Sequence, residues 1–369
     1  MGSKSGMLTG RLGEQLLELA TSANRFVDLF AGSGAVSRFI STRLPVETVS
    51  IDLLQFSGVI TAATTGRTQP LNSGVMWDRW NLRATGALAD YESLYVAAAA
   101  LSQPASAGEM QSARELCRIP VRDGFIWADY GGYYFSPKQA LELSMFYRTL
   151  PARGPERTVA LAALLRTASR ASASPGHTAQ PFRPTDKLLP HIRSAWRIDV
   201  PTELRRQLDA LAPAPALIRG SVVTGDSVAY AEHYIEDGDL VFCDPPYSDA
   251  QYSRFYHVLE GIAIGGWPAV FGAGRAPASQ VRAASKFSGS RNAALEAGTL
   301  IRALAQKRTT VLWTYPEGER SNGLTVDAIR GYANDRFVVS ETRIPMRHST
   351  LGGSHRNLHE VLFLFRPRD

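Results

Sequence analysis

The run Val241-Phe242-Cys243-Asp244-Pro245-Pro246-Tyr247 decides how this chain is read. Its first half is apolar and reads, with Leu240, as a buried strand. The second half stops that strand, because two prolines lock φ and remove two backbone donors, leaving carbonyls with no competing local amide. Asp244 and Tyr247 therefore project from one rigid turn. Such a turn suits an exocyclic amine on a planar base: Asp244 and the Pro245 carbonyl each accept one amine hydrogen, which keeps lone-pair density on nitrogen, and Tyr247 stacks on the ring. A rigid strand-to-loop turn without chemistry is the alternative.

Upstream, NRFVDLFAGSG at 24–34 reads as a short buried strand that breaks into a turn with two glycines, with a helix from about Ala35. VETVSIDL at 46–53 is a second strand ending in an acid, with a helix-sized connection between them. This is a βαβ opening, hence a parallel sheet. Gly32 and Gly34 let backbone amides approach a ligand, and the next helix aims its N-terminus at the same crevice. The third glycine of a dinucleotide fingerprint and the Gly-Lys-Ser/Thr of a phosphate loop are both missing. Asp28, at the first strand's end, suits a cationic or hydroxyl-bearing ligand better than a phosphate. Asp52, 24 residues later, is placed to accept from ribose hydroxyls. The glycine turn could also be only a tight turn, and Asp52 a cap of the next helix.

Between about 61 and 216 the pattern lapses into Pro, Gly, Ala and aromatic clusters with helical stretches at 137–150 and 156–171, which reads as an inserted domain. Strand periodicity returns at 217–223, 240–243 and 309–314, and as a hairpin of 337–344 with 358–365. The segment 264–280, rich in Gly, Ala and Pro, reads as a mobile surface loop.

Composition permits this. Of 369 residues, 44% are hydrophobic and 20% charged, which excludes disordered, collagen-like and disulfide-framework classes. The 40 Lys and Arg, only five of them lysines, against 34 Asp and Glu give a net charge of +6. That favours a polyanionic partner, although an arginine-rich composition can also reflect a GC-rich genome. Cys117 and Cys243 are too few for a disulfide framework or a cysteine zinc site, and His177 and His191 lack metal-ligand partners at useful spacing, so no metal is assigned. No apolar run reaches the length of a membrane span and the first ten residues do not read as a signal peptide, so a cytoplasmic, soluble protein is expected.

Asp-Leu-Phe-Ala-Gly-Ser-Gly at 28–34 followed after a long insertion by Asp-Pro-Pro-Tyr at 244–247 resembles the adenine-specific DNA methyltransferases of the Dam type, which use S-adenosylmethionine. The resemblance covers roughly 1–60 and 217–369. It implies a Rossmann-like class I methyltransferase fold, a mostly parallel seven-stranded sheet closed by a C-terminal antiparallel hairpin. Residues 61–216 would be an inserted target-recognition domain that binds DNA. The resemblance gives Asp28, Phe30, Gly32 and Gly34 to the cofactor motif and Asp52 to the ribose. Gly2-Ser3-Lys4 with Met7-Leu8 is similar to the family's opening segment, which places Lys4 at the cofactor's methionine end. Asp226, 18 residues before Asp244, stands where the family places an acid for the cofactor's adenine amine. Asp244, Pro245, Pro246 and Tyr247 would be catalytic. Cys243 is no cytosine-C5 nucleophile, since the Pro-Cys pair of that chemistry is missing.

For the nucleic acid, Ser248–Glu260 is aromatic and basic: a helical face would bury Phe255, Val258 and Leu259 and leave Tyr252 and Arg254 to meet DNA or the flipped base. Within the insert, Arg183, Lys187 and Arg193 accompany Gln and Thr, side chains that read base edges and neutralise phosphates. Both segments have plain readings, as an amphipathic helix and a polar surface loop. The implied reaction is methylation of adenine N6 in double-stranded DNA after base flipping, by a monomer in a bacterial, nucleoid-associated setting, with a cognate restriction or defence-system protein as a further partner. Cytosine-N4 or RNA-adenine methylation, and a catalytically silent DNA-binding module, remain alternatives.

Overall fold

The computed structural model describes residues 6–347 and 357–368. By contacts the chain divides into two compact units. One comprises the residues up to 68, 216–252 and those from 283 onward; the other comprises 69–215 and 253–282.

The first unit is built on a seven-stranded sheet: β1 (Arg25–Asp28), β2 (Glu47–Asp52), β3 (Ser221–Thr224), β4 (Asp239–Cys243), β5 (Thr310–Pro316), β6 (Phe337–Arg347) and β7 (Asn357–Pro367). Their order is β3-β2-β1-β4-β5-β7-β6. The first five run parallel, and β7 is antiparallel to both β5 and β6. A mixed, mostly parallel α/β sheet is therefore present, as the βαβ opening predicts. The strand positions follow the expected ones except that β3 begins at Ser221, since Leu217 to Gly220 are used in connecting contacts: the Leu217 amide donates to Ser41 and the Gly220 amide to Thr65.

Alternation along the central strands feeds two apolar layers. Phe26, Leu240, Phe242 and Leu312 pack with Leu12, Leu16, Val36 and Ile40 on one face. Val27, Val241, Cys243, Val311 and Trp313 pack with Leu300, Ile301 and Leu304 on the other. Every residue of β4 is buried, as the unbroken apolar run requires for a central parallel strand. Each large side chain so buried contributes roughly 1.5–3 kcal/mol. The edge where β1 and β4 begin is fastened by a bidentate pair, Arg25 Nε and Nη2 donating to Asp239 at 2.9 and 2.7 Å.

The second unit is mainly helical. The helices expected at 137–150 and 156–171 span Pro137–Arg148 and Gly154–Ala171. The first begins with a capping box, Ser136 and Gln139 bonding reciprocally at 3.1 and 3.0 Å ahead of Pro137. The boundary differs from the expected 61–216 in two ways. Helix Gln55–Thr65 belongs with the sheet, and 253–282 groups with the helical unit. The second grouping has a visible cause, because the Thr178 amide and hydroxyl both donate to the Phe255 carbonyl, at 2.6 and 2.8 Å. Nor is 264–280 a loose loop: the Tyr134 hydroxyl and His257 Nε2 both lie within 3 Å of the Gly274 carbonyl. None of the described helices is long and apolar enough to cross a membrane.

Candidate active site

Parallel strands leave their carboxyl ends on one edge, and there the chain carries its acids. Asp28 closes β1, Asp52 closes β2, and Asp244 follows directly on β4. Asp28 is 1% exposed. Its Oδ2 accepts from the Ser37 hydroxyl at 2.6 Å and Oδ1 from the Phe30 amide at 3.4 Å. Burial pushes its carboxyl up to about 7, with the charges of Asp244 and Asp52 adding to that rise and the Ser37 and Phe30 bonds opposing it. Burial also raises Asp52, against bonds that include those from the Leu54 and Gly32 amides.

The glycine turn sits against Asp52. The Gly32 amide donates to Asp52 Oδ2 at 2.8 Å and the Leu54 amide to Oδ1 at 2.9 Å. Gly32 is exposed at φ +52°, and a Cβ there would meet nothing closer than the Phe30 carbonyl oxygen at 3.8 Å, so open space lies over the backbone. Gly34, at φ +67°, has the opposite reason to lack a side chain, since a Cβ would fall 2.3 Å from Thr61 Oγ1. Phe30 stands edge-on to Phe287, ring centres 5.1 Å apart. Asp226 accepts from the Val228 and Ala229 amides, both through Oδ1 at 3.0 Å, and so caps helix Ser227–Tyr234.

The proline turn is held from β5 and the residues after it. The Thr314 hydroxyl donates to Asp244 Oδ1 at 3.0 Å, and Asn322 Nδ2 donates to the Pro246 carbonyl at 2.9 Å. Pro245 is buried, Pro246 half-buried, and Tyr247 is 36% exposed with the Arg320 guanidinium 5.9 Å from its ring centre. Thr314, Arg320 and Asn322 were not singled out from the sequence, where they lie in an apolar strand and an ordinary polar loop. Cys243 is fully buried, and desolvation first, then the nearby Asp28 and Asp244 charges, raise its thiol well above the ordinary value. It is an inert packing residue, as expected.

In the other unit the expected DNA-facing residues divide. Arg183 and Lys187 are exposed in coil. Arg193 instead donates to the carbonyls of Pro104 and Ala105 at 2.9 and 3.4 Å. Arg254, expected to be available to DNA, is half-buried with Nη1 donating to the Ala179 carbonyl. A Gly274 side chain would fall 2.5 Å from its Nη2, so the guanidinium lies in a cradle of backbone. Phe255, expected in the core, is only half-buried and stacks on His177 at 4.7 Å; the fully buried positions are His257, Val258 and Leu259. Tyr252 is half-buried at the start of helix Tyr252–Phe255. Lys4 lies outside the described residues.

A mostly parallel seven-stranded sheet with these acids and this proline turn at its carboxyl edge is consistent with the methyltransferase class of α/β proteins. Sequence comparison agrees: residues 191–302 match the family of D12 class N6 adenine-specific DNA methyltransferases. The chain is also 34% identical over 137 residues to Modification methylase LlaI of Lactococcus lactis subsp. lactis, an alignment covering 35% of this chain and 21% of that protein. The chain thus spans about a fifth of that relative's length. The resemblance read from Asp-Pro-Pro-Tyr is met in both comparisons.

Proposed function

We propose that this chain transfers a methyl group from S-adenosylmethionine to the N6 amine of adenine in double-stranded DNA, with the target base rotated out of the duplex. The observation that carries the reading is Asp244-Pro245-Pro246-Tyr247 at the carboxyl end of a buried central strand, on the same sheet edge as β1 and β2, which also end in acids. The match of 191–302 to adenine-specific enzymes supports it.

The residues present fit the cofactor. Asp28, with Asp52 and Asp244 close enough to raise it, makes a group of three carboxyls that would repel a phosphate but attract a sulfonium. Asp52 would accept from ribose hydroxyls, the open backbone at Gly32 would let the nucleoside approach, and Phe30 would wall it. Asp226, whose cap uses Oδ1 alone, would take the adenine amine through Oδ2. Lys4 belongs to the same reading at the methionine end. S-adenosylmethionine, when bound, supplies an electrophilic methyl group, and the protein's part is position and electrostatics. Asp244 and the Pro245 carbonyl would hold the target amine, Pro246 would stiffen the turn, and Tyr247 would stack on the flipped base. No covalent enzyme intermediate is needed. The sheet unit then corresponds to a Rossmann-like class I catalytic domain, and the helical unit to the inserted target-recognition domain. There Arg183 and Lys187 are the phosphate contacts favoured by their exposure. Restriction-modification or phage defence suits the likeness to a modification methylase.

The test is modification-sensitive sequencing of DNA from a methylation-free host expressing the protein. N6-methyladenine at one short motif is expected, and its loss in Asp244→Ala, with cofactor affinity within about threefold of wild type. Methylcytosine alone, or methylation confined to RNA, overturns the substrate. Normal methylation by the alanine variant overturns the role of Asp244.

A further inference from the structure

We propose that Asn322 is the positioning residue that fixes the carbonyl geometry of the Asp244–Tyr247 turn, and through it the rate of the methyl transfer proposed above, on which this inference rests. The turn presents an unusual mechanical problem. Pro245 and Pro246 have no N–H, so the backbone there can be pinned only through its carbonyls. One of those, on Pro245, is needed for the substrate amine. The other, on Pro246, is the one that Asn322 holds.

The Asn322 side chain is completely buried, and its four hydrogen-bonding positions are all filled. Nδ2 donates to the carbonyls of Pro246 and Phe287, each at 2.9 Å. Oδ1 accepts from the Tyr315 hydroxyl at 3.0 Å and the Leu324 amide at 3.3 Å. Burial pushes the Tyr315 phenol up to about 12, so it remains a donor at neutral pH and fixes which way the amide points. The proline ring locks the Pro246 φ, and the bond to its carbonyl restrains ψ. The peptide planes on either side are then rigidly related, and the Pro245 carbonyl takes its direction from Asn322. Two neighbouring contacts complete the hold: Thr314 on Asp244, and the Asp249 amide donating to Ser321 Oγ at 3.1 Å. Misplacing a reacting group by an ångström costs on the order of a hundredfold in rate, so a buried amide so fully engaged with this turn is a rate-setting element.

Asn322→Asp keeps the shape and replaces the donor facing two carbonyl oxygens by an acceptor. At pH 8 we expect kcat to fall at least about tenfold, with KM for S-adenosylmethionine within about threefold of wild type. Toward pH 6 protonation restores one donor, so kcat should partly recover relative to wild type. Of the charged groups nearby, Asp244 and Arg320 act on the Tyr315 phenol that bonds position 322, Arg320 also donates to the Glu317 carbonyl, and the Glu317 carboxylate faces Arg343 and His359. All are present in both proteins, so the difference between the two profiles isolates position 322. Asn322→Ala should lose kcat without recovering at low pH. Hydrogen exchange of the amides at 247–250 should quicken about tenfold in both variants while amides of β1 and β4 stay protected, a readout that decides the matter even if the wild type proves to methylate nothing. The proposal is overturned by unchanged exchange at 247–250, by kcat within about twofold of wild type in both variants, or by equal losses of cofactor affinity and global stability.

Discussion

Asp28 shows how much one side chain at the strand edge can reveal. Its carboxyl is pushed up to about 7 by burial, whereas the unfolded chain titrates near the ordinary 3.8. A raised acid holds its proton better in the fold, so its contribution to stability is fully present below about pH 4 and is lost as pH rises through about 7. The unfolding free energy of wild type relative to Asp28→Asn should therefore drop by up to roughly 4 kcal/mol between pH 4 and pH 8. Urea titrations of both proteins at several pH values check this, and a difference independent of pH would contradict the dominance of burial over the Ser37 and Phe30 hydrogen bonds. The position of Asp28 was legible in the sequence, as were Asp52 and Asp244, because each follows an apolar run that has to end. Asn322 was not. In Glu317-Gly318-Glu319-Arg320-Ser321-Asn322-Gly323 every residue is a plausible loop residue, and only the fold shows which one turns inward.

Helices and connecting segments were less readable than strands, for a related reason. A basic residue in the sequence says nothing about whether its guanidinium meets solvent or a neighbouring carbonyl. Arg193 and Arg254 satisfy backbone oxygens of their own unit, whereas Arg183 and Lys187 remain exposed. Replacing Arg183 and Lys187 together by alanine should weaken duplex binding several-fold and lower the salt slope by about 1–2, leaving stability unchanged. Arg193→Ala should cost about 1 kcal/mol or more of stability through the two carbonyls it abandons, with the slope unaltered. Anisotropy with a labelled duplex, beside thermal unfolding, separates the two. The grouping of 253–282 with the helical unit was hidden for the same reason: it depends on Thr178 reaching Phe255 across 77 residues of sequence.

For the molecule as a whole, a net charge of +6 predicts that duplex affinity falls at least about tenfold between 50 and 200 mM salt; a flat dependence in a filter-binding titration would remove duplex DNA as the partner. The class of sheet was legible from strand periodicity alone, and the lapse at 61–216 lies close to the 69–215 stretch of the helical unit, but the return of the chain to that unit at 253–282 was not legible. The crossings of the chain between the two units bear on biosynthesis. The first strand must wait for β4, whose Asp239 pairs with Arg25 from 214 positions away. While the ribosome is still working through the helical stretch, β1 and β2 are already outside with both flanks unpaired, since β3 and β4 come later in the chain, an invitation to aggregate. Such a topology leaves strand edges open on the nascent chain until residue 239 has emerged, so a stall upstream of that point should favour aggregation.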